Sequence, residues 1–386
     1  MFVSADYGAT ALDGTVPVPL DRAIPLPTDA QLVPLADRAA MGLDRRGQVR
    51  SLGPARWALA AILRPGYVRT HVPSVEAAGD VTPLEPLSYS AVAADTRGEL
   101  VVAAVAMSGP PASPPRDDGG DAITRRLRTE PSNKLLRQLA RCAREYHCAA
   151  ARNAFLGQGD CALPLGAPAN DEAAPVVALR RRDERAPLWP VAFRVPAVDV
   201  AAVAIAHLSA GGTSVSFGHA CEGEPLELIR DVVDVTARIR AADAGGEIVL
   251  RTSGASAVAL GRAAEAGLDR VVVRLASADS PTFERVHRPT GFRWTDVRGT
   301  LREAAMRRLP ITVELLSLPG LSDREADVAA LVALLGELRP GTELRLADLA
   351  ADPYALLARI PGSATVGITA LLDRLRAEAA HVRLAA

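Results

Sequence analysis

From about residue 160 onward, short apolar runs alternate with longer stretches whose apolar residues recur at helical spacing. This alternation constrains the fold more than any other feature of the chain. The runs at 213–217, 247–252, 270–275, 311–316 and 343–347 read as strands. The stretches at 226–241, 255–266, 294–307, 323–338 and 369–379 read as helices. A first strand at 161–165 and a helix at 198–208 complete six β/α units. Strands joined through helices run parallel, because a parallel pair needs a long crossover connection. The runs are almost wholly apolar, as in Val271-Val272-Val273, which suits strands covered on both faces. The fold class predicted for this half is α/β.

The first hundred residues follow a different pattern. Residues 1–30 are rich in Pro, Asp and Gly and read as an extended arm. Apolar spacing at 35–43 and 57–63 predicts two helices within 31–64, the second broken by Pro65-Gly66. Runs at 88–94 and 99–106, separated by Thr96-Arg97-Gly98, predict a hairpin. Residues 1–107 are thus expected to form a small α+β domain. A Pro/Gly-rich loop at 108–132 follows. Residues 133–165 then supply a connecting helix, to about Asn153, and the first strand. The β/α region and a C-terminal helix fill 166–386.

Composition excludes several classes of function. Net charge is −1, so no overall field draws nucleic acid or an anionic membrane. Hydrophobic residues make up 49% and charged residues 23%, the balance of a protein with a large core. No apolar run reaches membrane-spanning length, and Met1–Tyr7 carries no signal-peptide pattern, so the cytoplasm is the expected compartment. The abundance of Ala, Arg, Leu and Val, with Lys134 the only lysine, matches codon usage in a high-GC bacterial genome. No G-x-S-x-G, P-loop, HExxH or paired-CxxC pattern supports a hydrolase, NTPase or zinc-finger reading.

Three stretches carry a resemblance. The first, Ser216-Phe217-Gly218-His219-Ala220-Cys221-Glu222-Gly223-Glu224-Pro225-Leu226, follows the second strand. The second runs from Gly267-Leu268-Asp269-Arg270-Val271 through Ser277-Ala278 to Arg288-Pro289-Thr290-Gly291-Phe292. The third is Leu318-Pro319-Gly320-Leu321-Ser322-Asp323-Arg324-Glu325, where Ser322 or Asp323 can cap the next helix. In this order, over about residues 140–360, they resemble the radical S-adenosylmethionine (SAM) superfamily. Cys142, Glu145-Tyr146-His147-Cys148 and Asn153 are similar to a segment that precedes the barrel in one bacterial subgroup. The resemblance implies a partial (β/α)6 TIM-like barrel of the radical SAM type behind the small N-terminal domain. It also implies SAM as cofactor, with Gly223, Glu224 and Pro225 receiving its amino group and Ser253, Ser277 and Glu314 beside it.

The family holds an iron–sulfur cluster on a C-x-x-x-C-x-x-C loop. The matching positions here are Ala169, Ala173 and Val176, none of which has a lone pair to offer iron. A [4Fe–4S] cluster is therefore not expected. The mouth is altered in other ways, since the strands carry Arg251 and Arg274 where polar cofactor contacts are usual. These arginines can bind a carboxylate or phosphate. Alternatively they fill vacated space by pairing with Glu224, Asp348 or Glu314. Glu224 itself is either a SAM ligand or a loop residue. Tyr146, His147, Arg251 and Arg274 are the candidate catalytic groups, with no role assigned.

Three functional readings stay open. The first is a SAM-binding protein which, if an enzyme, is a transferase using the sulfonium for polar methyl or alkyl transfer in a bacterial biosynthetic pathway. The second is a noncatalytic pseudoenzyme acting as scaffold or regulatory partner. The third is a radical enzyme whose cluster sits on Cys142, Cys148, Cys161 or Cys221. The partner is a small-molecule substrate or a protein of the same pathway, with no nucleic acid and no membrane.

Overall fold

The computed structural model describes residues 8–13, 16–20, 22–77, 81, 84, 87–107, 119–145, 148–172, 191–219, 221–348 and 352–385. The N-terminal region is built from twelve strands among its described residues. They are β1 (Gly8–Asp13), β2 (Val16–Pro19), β3 (Ile24–Pro25), β4 (Gln31–Leu43), β5 (Val49–Ser51), β6 (Trp57–Ile62), β7 (Tyr67–Arg69), β8 (Val72–Pro73), β9 (Val75–Ala77), β10 (Ser90–Ala94), β11 (Leu100–Val102) and β12 (Ala104–Ala106). The main sheet runs β2-β1-β4-β6-β10-β11-β3 and is antiparallel throughout.

The two helices expected within 31–64 are strands instead, and the α+β expectation for residues 1–107 gives way to an all-β arrangement among the described residues. The physical reason lies in the period. Val33 and Leu35 are buried while Leu32 and Pro34 are exposed, an alternation of two. On β6, Ala58, Ala60 and Ile62 join the apolar cluster of Val33 and Leu35, while Ala61 joins another on the opposite face, and β6 pairs antiparallel with β4. The expected hairpin is present: Val92 faces Val102 across a turn in which Asp95 accepts from the N–H groups of Arg97 and Glu99.

The second region begins with α1 (Gly120–Thr129), α2 (Lys134–Glu145) and α3 (Ala149–Leu156). The single helix expected from 133 to about 153 is thus two helices, divided near Cys148. Seven parallel strands follow: β13 (Asp160–Ala162), β14 (Ser214–Phe217), β15 (Glu247–Thr252), β16 (Arg270–Leu275), β17 (Ile311–Ser317), β18 (Glu343–Asp348) and β19 (Arg383–Ala385). They lie side by side in chain order. The helices between them are α4 (Ala197–Ser209), α5 (Ile229–Ala241), α6 (Ala257–Glu265), α7 (Ser280–His287), α8 (Trp294–Met306), α9 (Glu325–Gly336), α10 (Pro353–Leu357) and α11 (Ile368–Glu378). The expected β/α alternation is observed, and β19 adds a strand to the six read from sequence.

Side chains sort by face. Val215, Phe217, Ile248, Leu250, Val271, Val273, Val313, Leu315 and Leu344 point to the helices and join one apolar core. The residues between them point the other way. Pairing places Arg274 beside Glu314 and Glu314 beside Arg345, so a charged row crosses three strands on the inner face. One cavity of about 270 Å³ touches all seven strands, from Asp160 on β13 to Arg383 on β19. A flat sheet would hold its edge strands about 29 Å apart at about 4.8 Å per gap. The sheet is therefore curled around its polar inner face. Among the described residues, no pairing joins β13 to β19.

Candidate functional site

In a β/α sheet of this kind, loops after the strands gather at one end, and there ligands are usually met. The loop after β14 is braced by its own carboxylates. Gly218 turns with φ of 76°, and a Cβ there would stand 2.0 Å from the Arg251 carbonyl oxygen, so only glycine fits. Glu222 is buried and accepts from the N–H groups of Leu165 (2.7 Å), Gly218 (2.8 Å) and Ala167 (3.4 Å). Burial pushes its carboxyl up to about 7, against the pull of those donors.

Glu224 is 1% exposed. One carboxylate oxygen accepts from Leu226 N (3.0 Å) and the Thr252 hydroxyl (2.7 Å), and the other from Ser253 N (2.6 Å). Pro225 then opens a 3₁₀ turn, Pro225–Leu228, that Glu224 caps. Gly223 donates to Ala167 O, and Glu224 N donates to Pro168 O. A Cβ on Gly223 would stand 2.1 Å from the Pro168 carbonyl carbon and 2.2 Å from Ala169 N. The chain at 167–169 therefore lies directly on the Gly223-Glu224 turn. Of the three positions matched to the cluster loop, Ala169 lies beside Gly223. Ala173 and Val176 lie outside the described residues, as do Tyr146 and His147.

The next residues cross to the far side of the strand ends. Asn170 O accepts from Thr290 N, and Glu172 N donates to His287 O. Asp171 meets His287 Nδ1 at 2.9 Å, while His287 Nε2 accepts from Ala276 N at 2.9 Å. This geometry fixes the tautomer: Nδ1 carries the proton toward Asp171. Sequence reading missed this buried pair, because nothing local links residues 116 positions apart.

The other sequence candidates divide. Arg251 pairs with Glu314 at 3.4 Å, one of the three pairings considered for it. Glu314 is 1% exposed and also lies 3.8 Å from Arg345. Arg274 is buried, and no described residue gives it a hydrogen bond or ion pair; its Nε is enclosed. Ser253 donates its N–H to Glu224, but its buried hydroxyl has no partner among the described residues. Ser277 faces the helix side, donating to Asp327 and accepting from Asp279 N. Asp327 in turn holds Arg324 at 2.6 Å. Ser322 and Asp323 do not cap α9, whose N-cap is Arg324. Instead their side chains close the preceding turn through Leu318 and Gly320.

All four cysteines are free. Burial pushes the Cys142 thiol up to about 11 and also raises those of Cys161 and Cys221. Among the described residues, no group of three or more His, Cys, Asp or Glu is arranged to hold a metal ion.

The N-terminal sheet sits against these strand ends. Arg69 is fully buried, donating to Tyr89 O (3.2 Å) and to Ser317 O (3.5 Å) at the end of β17. Leu12 and Val72 pack with Ala276, Leu316 and Leu318. The Tyr354 hydroxyl donates to Pro73 O at 2.8 Å, and Arg38 pairs with Asp352 at 3.2 Å.

No protein-family profile matches the chain, and no curated protein matches it. Similar solved structures include HydG, a maturase of the [FeFe]-hydrogenase, at 12% identity and TM-score 0.42 over 70% of this chain and 65% of that one. A radical SAM methyltransferase from Sphaerobacter thermophilus gives 16% and 0.38 over 58% and 66%. SuiB from Streptococcus suis, bound to S-adenosylmethionine, gives 12% and 0.41 over 68% and 60%. This chain spans about two thirds or less of each. Likeness at this level leaves fold and function to be argued from the chain's own residues. Among the described residues, no helix is long and apolar enough to cross a membrane.

Proposed function

We infer that this chain is a cluster-less, radical-SAM-like partial (β/α)6 barrel, extended by one strand, that acts as a noncatalytic scaffold or regulatory partner. The bonding of Glu224 carries the reading. A carboxylate has about four acceptor sites, and one meant for a ligand ammonium needs its open sites exposed; Glu224 has three taken and the remainder buried. Both oxygens of Glu224 are held by donors of the chain itself, in a side chain 1% exposed. The glycine beside it packs against Pro168 and Ala169, which supports a turn braced by the chain itself. The residues present do not fit SAM in the way the resemblance implies. They do not fit a [4Fe–4S] cluster either, since the side chains at 169, 173 and 176 are hydrocarbon. The N-terminal sheet adds a roof over β16 and β17.

Calorimetry with SAM and S-adenosylhomocysteine tests the reading, and no heat of binding is expected at high micromolar ligand. A micromolar dissociation constant would overturn it and favour the second reading, a SAM-binding transferase. That reading draws on the unpartnered Arg274 guanidinium and Ser253 hydroxyl near the strand ends. Iron and sulfide analysis after anaerobic reconstitution is expected to give no stoichiometric cluster. A [4Fe–4S] signal lost on replacing Cys142, Cys148 or Cys161 by Ala would revive the third.

A further inference from the structure

Three hydrogen-bond donors at the ends of β15 and β16 are buried without a partner among the described residues. Arg274, 7% exposed, makes no hydrogen bond or ion pair, and its Nε is enclosed. The Ser253 hydroxyl sits on a residue 2% exposed, and the Asn170 amide nitrogen on one 7% exposed. Buried polar groups without partners are rare and call for an explanation such as a bound molecule.

The fold brings the three together. Pairing sets Thr252 opposite Val273, so Ser253 stands one step on, opposite Arg274. Asn170 is carried over the same strand ends by the residues on either side of it. Ala169 N lies beside Gly223, whose neighbour Glu224 holds Ser253 N. Asp171 holds His287, which accepts from Ala276 N, just beyond Arg274 on the chain. Ala276 and Leu316 pack with Leu12 and Val72 of the N-terminal sheet, so hydrocarbon roofs this row on one side.

Charge gives the sign of the occupant. On the inner face Arg251 meets Glu314, Arg270 meets Glu247, and Arg345 and Arg383 share Glu343. Asp160 is taken by Ser214, Ser216 and His219. With Arg274 these make five arginines against four carboxylates, and Arg274 is the one with no ion pair among the described residues. A buried charge left unpaired is costly. Glu314 stands opposite Arg274 in register, yet it pairs with Arg251 at 3.4 Å and lies 3.8 Å from Arg345. Its second oxygen is unpartnered, so a turn of Arg274 onto it is the competing arrangement. That turn leaves the Ser253 and Asn170 donors unsatisfied. Glu224 bonds the Thr252 hydroxyl, and side chains at 252 and 253 point to opposite faces.

We propose that Arg274, Ser253 and Asn170 form a binding site for a small monocarboxylate. The planar guanidinium fork matches the two oxygens of a carboxylate, which keep acceptor sites for a hydroxyl and an amide N–H. One negative charge matches the surplus of one, whereas a dianion exceeds it. The inference goes beyond the scaffold reading, because binding needs neither SAM nor turnover.

The test is calorimetry on the full chain in chloride-free buffer, with acetate and propionate against methylammonium, sulfate and SAM. Both carboxylates are expected to bind with a dissociation constant on the order of 1 mM, and methylammonium and sulfate at least about tenfold more weakly. Ser253→Ala keeps the N–H bond to Glu224 and is expected to weaken acetate binding several-fold. Arg274→Met is expected to abolish it. Circular dichroism identical to that of the parent chain shows that both variants fold. Urea unfolding supplies a second readout. At about 10 mM acetate the folding constant of the parent is expected to rise about elevenfold, and that of Arg274→Met not at all. Without ligand, Arg274→Met is expected to be at least as stable as the parent, because it removes an unpaired buried charge. A loss of more than about tenfold in its folding constant would show Arg274 paired with Glu314 and overturn the proposal. Absence of carboxylate binding at about 10 mM overturns it too and leaves the scaffold reading standing. Unchanged acetate affinity in Arg274→Met, or sulfate binding as tightly as acetate, also overturns it. SAM binding about tenfold tighter than acetate would give these donors to the transferase reading and overturn both.

Discussion

Replacing Glu224 separates a structural carboxylate from a ligand carboxylate. In Glu224→Ala, three donors lose their acceptor: Leu226 N, Ser253 N and the Thr252 hydroxyl. The hydroxyl can turn, and it already accepts from Gly254 N, so its loss costs least. The two N–H groups cannot turn. A stranded buried donor costs about 1–3 kcal/mol, so the pair gives about 2–6 kcal/mol. Glu224→Gln keeps the bonds to one oxygen but sets an NH2 group against Ser253 N–H, and roughly 1–3 kcal/mol is expected. Urea unfolding followed by circular dichroism measures both. The ordering Ala worse than Gln, and Gln worse than parent, is the expected result. A loss below about 0.5 kcal/mol in Glu224→Ala, the size of an ordinary surface change, would refute the structural role.

Other perturbations follow from the same geometry. Gly223→Ala forces a Cβ to 2.1 Å from Pro168 and is expected to cost about 1–3 kcal/mol or more; an unchanged urea midpoint would contradict the close contact. Glu222 titrates at about 7 in the folded chain against an ordinary value of 4.5, so the folded state holds the proton to higher pH. Its contribution to stability is full below pH 4.5 and is lost as pH rises to about 7, at up to about 1.4 kcal/mol per pH unit. Stability measured across that window should fall with rising pH in the parent and flatten in Glu222→Gln. Arg69→Met removes the charge-assisted bonds to Tyr89 O and, across the contact between the two regions, to Ser317 O, for a loss of roughly 3 kcal/mol or more by thermal melting. A melting point equal to that of the parent would show that the contact does not hold the roof in place.

The β/α half was legible because its period is local. Val271-Val272-Val273 could only be a covered strand, and the helices between strands announced themselves by spacing. The N-terminal half was misread because alanine-rich stretches such as 57–62 carry a weak period and alanine favours helix in isolation. Pairing of β4 with β6 settled the matter against that local preference. At the site, the sequence offered the Gly223-Glu224-Pro225 turn as a candidate. What Glu224 bonds to was not legible, because a glutamate written in sequence does not show which donors will reach it. Ser322 and Asp323 show the same limit at smaller scale. Both are good capping residues, yet the turn behind them used their side chains first.

By itself the sequence determined the parallel alternation of strand and helix, and it determined that positions 169, 173 and 176 hold no metal-binding atom. Both are properties of neighbouring residues or of side-chain chemistry, and neither needs a distant partner. Tertiary structure alone decided what each buried charge would meet. Glu224 found its acceptor duty 28–29 residues away at Thr252 and Ser253, and Arg251 found Glu314 at a separation of 63. Arg274, on the strand between them, found none among the described residues. Burial makes pairing of a charge compulsory, but only the curl of the sheet sets which partners are within reach.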